Sequence, residues 1–232
     1  MLGLMEKTLN AESLYLVFAD GSQLFLSREH IDKATERYWR DSSKIPDHVR
    51  AAIDFQRCVR CPMSNDQTIC DALRPILPLL DYVDKFNSTD RVQVVYGGAE
   101  PEVFQIANTN MQTALSYVSV LSLINYCQAG RKYRKYYYGI SPLSSSSTVA
   151  SRLYMNIFWL HRGDRQAIDQ VVSDFGHMMM ILSQNQVKRL NLICQNDAFN
   201  NSFVNAHVAT ALLSLGMDRY LQEMFDEFEK IS

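Results

Sequence analysis

Apolar and polar positions alternate in two short stretches of the chain and recur at helical spacing through most of the sequence beyond the second. Leu14-Tyr15-Leu16-Val17-Phe18 and Gln23-Leu24-Phe25-Leu26 are apolar runs of strand length, with Ala19-Asp20-Gly21-Ser22 between them. An Asp-Gly pair suits the positive φ angles of a two-residue turn, so the pattern predicts a β-hairpin over Ser13 to Leu26. Arg91 to Tyr96, rich in β-branched residues, and Glu102 to Ala107 alternate apolar and polar positions around Gly97-Gly98. They predict a second hairpin and, with the first, one small antiparallel sheet.

Between the hairpins, Ile31, Ala34 and Tyr38 sit at helical spacing in the charged stretch Arg28 to Arg40 and predict a short surface helix. Ser42 to Pro46 breaks it, and Asp47 to Phe55 predicts another helical segment. A third is expected from Asp71 to Val83, with Pro75 in its first turn and a kink at Pro78. After the second hairpin the apolar period becomes helical. It predicts helices over Met111 to Gln128, Ser146 to Leu160, Gln166 to Cys194, Asn201 to Leu215 and Met217 to Ile231, with Gly130, Gly163 and Gly216 as stops. The run Ser144 to Thr148 supplies an N-cap, and Asp197, Asn200 and Asn201 read as caps of the Asn201 helix. The predicted class is α+β: a small antiparallel sheet from two β-hairpins packed with a C-terminal helical bundle. The expectation is one domain over 1–232, with the hairpins and a cysteine-bearing loop in 1–109 and the bundle in 110–232.

Composition adds boundaries. With 47% apolar and 21% charged residues, the chain has the makings of a folded core and none of the marks of a disordered one. A formal net charge of -2 gives no overall attraction to nucleic acid or anionic membrane, so either would need a local patch. Met1 to Lys7 lacks the basic start and long apolar core of a signal peptide. The best apolar window, Ala114 to Cys127, is too short for a membrane span and contains Ser116, Ser119, Ser122 and Asn125. These features predict a cytoplasmic protein without membrane association. In that reducing compartment, five cysteines argue for ligation or redox chemistry rather than disulfides.

Four of the five cysteines form the most informative pattern. Cys58 and Cys61, in Cys58-Val59-Arg60-Cys61-Pro62, have the two-residue spacing that offers both sulfurs to one metal from a tight turn, with Arg60 nearby to favour thiolate. Cys70 precedes the expected Asp71 helix, whose N-terminus would also favour thiolate. Cys127 ends the Met111 helix, and its inclusion would pin the bundle to the loop. Zinc and an iron–sulfur cluster both suit one pair plus two single cysteines: zinc more often uses two compact pairs, and the cluster tolerates scatter and the adjacent Pro62. The competing readings are inert buried thiols and a redox dithiol at Cys58 and Cys61, although the βαβ setting of the latter motif is missing. Cys194, at an apolar helical position after Leu190 and Ile193, reads as core.

The order of a hairpin with an Asp-Gly turn, Cys-x-x-Cys-Pro, a cysteine opening a helix, a second hairpin and a cysteine ending the next helix resembles an uncharacterised bacterial domain family. Lys188-Arg189-Leu190 and Asn196-Asp197-Ala198-Phe199-Asn200-Asn201 are similar to it as well. In that family the helix-opening and later cysteines are each followed by proline, where this chain has Asp71 and Gln128. The resemblance implies a four-cysteine site and no particular activity.

The dense basic and aromatic run Arg131-Lys132-Tyr133-Arg134-Lys135-Tyr136-Tyr137-Tyr138 comes soon after Cys127. Arg131, Lys132, Tyr133, Arg134, Lys135 and Tyr136 are its candidate ligand- or anion-binding residues, through cations for phosphate and phenols for stacking. The alternative is a solvated connection whose tyrosines pack on the bundle. His161, His177 and His207 lack metal-ligand spacing, and no Walker loop, nucleophile elbow, dinucleotide fingerprint or His-Glu-x-x-His occurs. The leading expectation is a non-enzymatic regulatory or sensory protein with a protein partner, its four-cysteine centre coupled to a partner-binding surface. Alternatives are a nucleotide- or nucleic-acid-binding protein with structural zinc, and a redox or electron-transfer protein.

Overall fold

The computed structural model describes residues 13–40, 45–55, 57–59, 61–63, 69–85, 87–97, 104–141, 143–194 and 196–213. Two hairpins form one antiparallel sheet in the order β2-β1-β3-β4, with β1 Ser13–Phe18, β2 Gln23–Leu26, β3 Arg91–Gly97 and β4 Phe104–Asn110. Register obeys the alternation. Leu16 pairs with Leu24 and Val94, and Leu14 pairs with Leu26 and Tyr96. Leu14, Leu16, Leu26, Val92 and Val94 thereby make one buried face.

The first hairpin turns differently from the expected two-residue connection. Phe18 N–H bonds Ser22 C=O at 2.9 Å, Gly21 N–H bonds Phe18 C=O at 3.0 Å, and Gly21 alone takes a positive φ, +80°. This is a three-residue loop ending on a left-handed glycine. Asp20 favours it by accepting from the Ser22 N–H at 2.8 Å, which leaves Asp20 itself at negative φ. The Gly97-Gly98 turn lies partly outside the described residues.

Helices α1, Arg28–Arg40, and α2, Asp47–Ile53, match the sequence reading. The segment expected to be a kinked helix from Asp71 to Val83 is instead two 3-10 pieces, Asp71–Leu73 and Leu77–Lys85. Pro75 and Pro78 remove two amide donors, and the chain uses the tighter i to i+3 bonds left to it, such as Leu73 N–H to Cys70 C=O at 2.8 Å and Leu79 N–H to Ile76 C=O at 2.8 Å.

The expected Met111 helix is also interrupted. It comprises α3, Met111–Ala114, α4, Ser116–Val120, and a π-helical turn, Leu121–Tyr126, which ends when Cys127 turns extended at φ −60° and ψ 122°. A 3-10 segment, Arg131–Tyr137, leads to α5, Ser146–Leu160, and α6, Arg165–Leu190. Ser145 and Asp164 cap these two helices by accepting from the Thr148 and Ala167 N–H groups. A last helix, α7, covers 198–213 of the described residues, and the expected Met217 helix lies outside them. One cluster of buried apolar side chains runs from Leu14 in the sheet through Phe175 to Leu213, joining sheet and helices. Among the described residues no helix is long and apolar enough to cross a membrane.

Asp197 stands just before α7, since Asn201 N–H bonds its carbonyl at 2.8 Å, but its carboxylate does more than cap. It accepts from the Ser88 N–H and Ser88 Oγ, both at 2.8 Å, and so ties the approach to β3 to the start of α7. These bonds hold its carboxyl below the ordinary value of 3.8. A depressed carboxyl adds stability above that ordinary value and loses it as pH falls through the lowered one. Asp197→Asn is therefore expected to unfold at lower denaturant than the parent at pH 7, with the gap closing below about pH 4. Denaturation series at several pH values check this, and a gap independent of pH would exclude the ionised carboxylate as its source.

Candidate metal centre

The fold brings Cys58, Cys61, Cys70 and Cys127 to the wall of one cavity, together with Arg57, Met63, Asp71, Gln128, Leu182 and Gln186. The cavity is narrow, with room for little more than one water molecule. Three separate stretches supply the sulfurs. The loop after α2 turns at Cys58, whose carbonyl accepts from the Cys61 N–H at 3.0 Å, and Arg57 Nη1 closes the turn by donating to Met63 C=O at 3.1 Å. Arg60 and residues 64–68 of this loop lie outside the described residues.

Cys70 enters on the first 3-10 piece. That piece is a single 3-10 turn of three residues rather than the start of an α-helix. Position is what the segment provides. Ser122 Oγ donates to Ala72 C=O at 2.6 Å, and Gln128 Nε2 donates to Asp71 Oδ2 at 3.0 Å. Each bond is worth about 1 kcal/mol, and together they hold the residues following Cys70 against those flanking Cys127.

Cys127 is delivered by the π turn, its N–H bonding Ser122 C=O at 3.0 Å. Burial pushes its thiol up to about 11, while the N–H groups of Gly130 and Ala129, which bond the sulfur, act in the opposite direction. Burial and the neighbouring Cys70 likewise push the Cys58 thiol up, opposed by Asn185 and Arg189. Donors that favour the thiolate thus face sulfurs whose surroundings otherwise favour the thiol, a conflict that a bound cation would resolve.

The floor of the site comes from α6, a contribution not anticipated from the sequence. Asn185 Nδ2 donates to Cys58 Sγ at 3.0 Å, and Gln186 Nε2 lies 3.9 Å from Cys70 Sγ. Both amides are buried, as is Arg189, which is 1% exposed. The available signal was polar residues at 185, 186 and 189 between Leu182 and Leu190, on the face that a helix of this length must bury.

Among the described residues no three His, Cys, Asp or Glu side chains converge as a ready single-ion site. Cys194 is remote from the cavity: it is buried in the core and donates to Leu190 C=O at 3.4 Å.

The basic-aromatic run divides by residue type. Arg131, Lys132, Arg134 and Lys135 are exposed, whereas Tyr133 and Tyr136 are buried. Tyr133 stacks on Phe175 at 4.6 Å and donates to Asp174 C=O at 3.2 Å, and Tyr136 Oη bonds His161 Nε2 at 3.0 Å. Their rings are anchors of the segment. Arg131 Nε reaches Asn125 C=O at 3.3 Å, and its N–H bonds Cys127 C=O at 2.9 Å, so the run is joined directly to the cysteine corner.

No family model, curated protein or solved structure matches the chain.

Gly130 makes the corner possible through space rather than through φ, which is an ordinary −79°. A Cβ there would lie 1.7 Å from the Leu123 carbonyl oxygen. Gly130→Ala is expected to cost about 3 kcal/mol or more, lowering Tm by roughly 6–12 °C in a chain of this size. Thermal unfolding followed by circular dichroism checks it, and an unchanged Tm would contradict the close approach.

Proposed function

We propose that this protein is a regulatory metal–thiolate protein in which Cys58, Cys61, Cys70 and Cys127 hold an iron–sulfur cluster. The observation that carries this reading is the meeting of four sulfurs from three separated stretches around one buried cavity with N–H donors facing them. What favours a cluster over zinc is the pattern of one cysteine pair plus two single cysteines, with Pro62 beside Cys61. Zinc more often uses two compact pairs, whereas a cluster tolerates such scatter.

The regulatory part of the reading rests on Cys127. Its loop continues through Gly130 into Arg131–Tyr137, whose tyrosines grip the helices while its cations face outward. Loading or loss of the centre shifts this corner and alters how Arg131, Lys132, Arg134 and Lys135 are presented. The partner is an acidic protein surface. Base stacking by Tyr133 and Tyr136 is not part of the proposal, because their rings are covered.

Anaerobic purification with a visible spectrum and analysis for iron, sulfide and zinc tests the centre. The expected protein is brown, contains iron and sulfide, and loses both in Cys58→Ser and Cys127→Ser, with a lower Tm. One zinc per chain would retain the four-cysteine site and overturn the cluster. Absence of metal after reconstitution, with wild-type stability in both serine variants, would overturn the site itself.

A further inference from the structure

Arg189 is among the largest fully buried side chains, at 1% exposure, yet no carboxylate among the described residues pairs with it. Its Nη1 donates to Gln186 Oε1 at 3.4 Å, its Nη2 donates to Phe55 C=O at 3.2 Å, and its Nε has no partner. The guanidinium lies over the Phe55 ring, 5.8 Å from the centroid. These contacts satisfy part of its hydrogen-bonding capacity and bring no anion to its charge. A buried cation without an anion is costly, and guanidinium stays charged at any pH the protein meets.

The nearest unexplained chemistry is the cysteine cavity. Gln186, which accepts from Arg189, points its amide nitrogen toward Cys70, and Asn185 on the same helix donates to Cys58. Four neutral thiols offer Arg189 no counter-charge. Four thiolates outweigh the positive charge of one divalent ion or one cluster core, so a loaded centre is anionic.

We propose that Arg189 is the resident counter-charge of the four-cysteine centre, and that with Asn185 and Gln186 it forms a donor shelf on α6 that makes the site select an anionic, fully thiolate-ligated metal group. This inference rests on reading the four cysteines as a metal site. Arg189 is a positioning and charge-compensating residue and not a ligand.

Reconstitution of the full chain with ferrous iron and sulfide, followed by chelator challenge, tests it in the parent, Arg189→Met and Arg189→Lys. Met is expected to fold with an apo Tm equal to or above the parent's, because the uncompensated charge is gone. It is also expected to lose the cluster to chelator about 10- to 100-fold faster, while Lys keeps most of the retention. A purely structural Arg189 would lower the apo Tm and leave retention alone, which would overturn the proposal. If Arg189→Met does not fold, Arg189→Lys against Arg189→Gln decides: retention by Lys and loss by Gln at matched apo Tm support the charge, and equal retention refutes it. A parent that loads and a Met variant that loads equally well would overturn this inference alone. A parent that takes up neither iron nor zinc would overturn the metal site and this inference with it.

Discussion

Charge and polarity buried away from water are the constraint around which this structure is arranged. Sulfurs from the α2 loop, the Cys70 segment and the Cys127 corner share one cavity, and a guanidinium is buried beside them on α6. Polar groups in such a place must be met by partners or they oppose folding. Asn185, Gln186, Ala129 and Gly130 direct N–H groups at the sulfurs, and Ser122 and Gln128 bind the segments that carry them.

The irregular backbone answers the same demand. The regular helices, α1, α5 and α6, lie where propensity and amphipathic pattern act without competition. The segments that deliver Cys70 and Cys127 are 3-10 and π. Prolines exclude an α-helix from the first. The second widens its last turn, and Gly130 then passes so close to the Leu123 carbonyl that a side chain has no room. Irregular turns of this kind gather at functional sites because they aim particular groups at the expense of regular hydrogen bonding.

On the proposed reading, the site and the exposed cations form one mechanical unit. Arg131 bonds the Cys127 carbonyl and the carbonyls at the end of the π turn, and Asn156 on α5 holds the far end of the segment by donating to the Tyr136 and Tyr138 carbonyls, both at 2.8 Å. The segment is thus suspended between the cysteine corner and a regular helix, with buried tyrosines as its inner face. A displacement at Cys127 has a short covalent path to the charged surface.

The chain's own pattern determined the elements whose causes are local. Apolar runs flanking turn residues set the two hairpins, the serine run before Ser146 set the start of α5, and the cysteine spacing singled out four positions that the fold does bring to one cavity. Only the tertiary structure decided how those positions are served. The Asp71 segment reads as a kinked helix, and its own Pro75 and Pro78 hold it to 3-10 pieces, whereas the Met111 segment reads as one helix and its π turn is held by a distant contact, Ser122 Oγ to Ala72 C=O. The sequence leaves Tyr133 and Tyr136 either available for stacking or packed on the bundle, and only the folding of Phe175 and His161 against them decides for packing. Asn185 and Gln186 carried no motif, since a polar residue in a helix becomes informative only when the face it occupies is known to be buried. Local pattern records what each segment prefers alone, whereas the partner of a buried polar group is fixed by packing between segments distant in sequence.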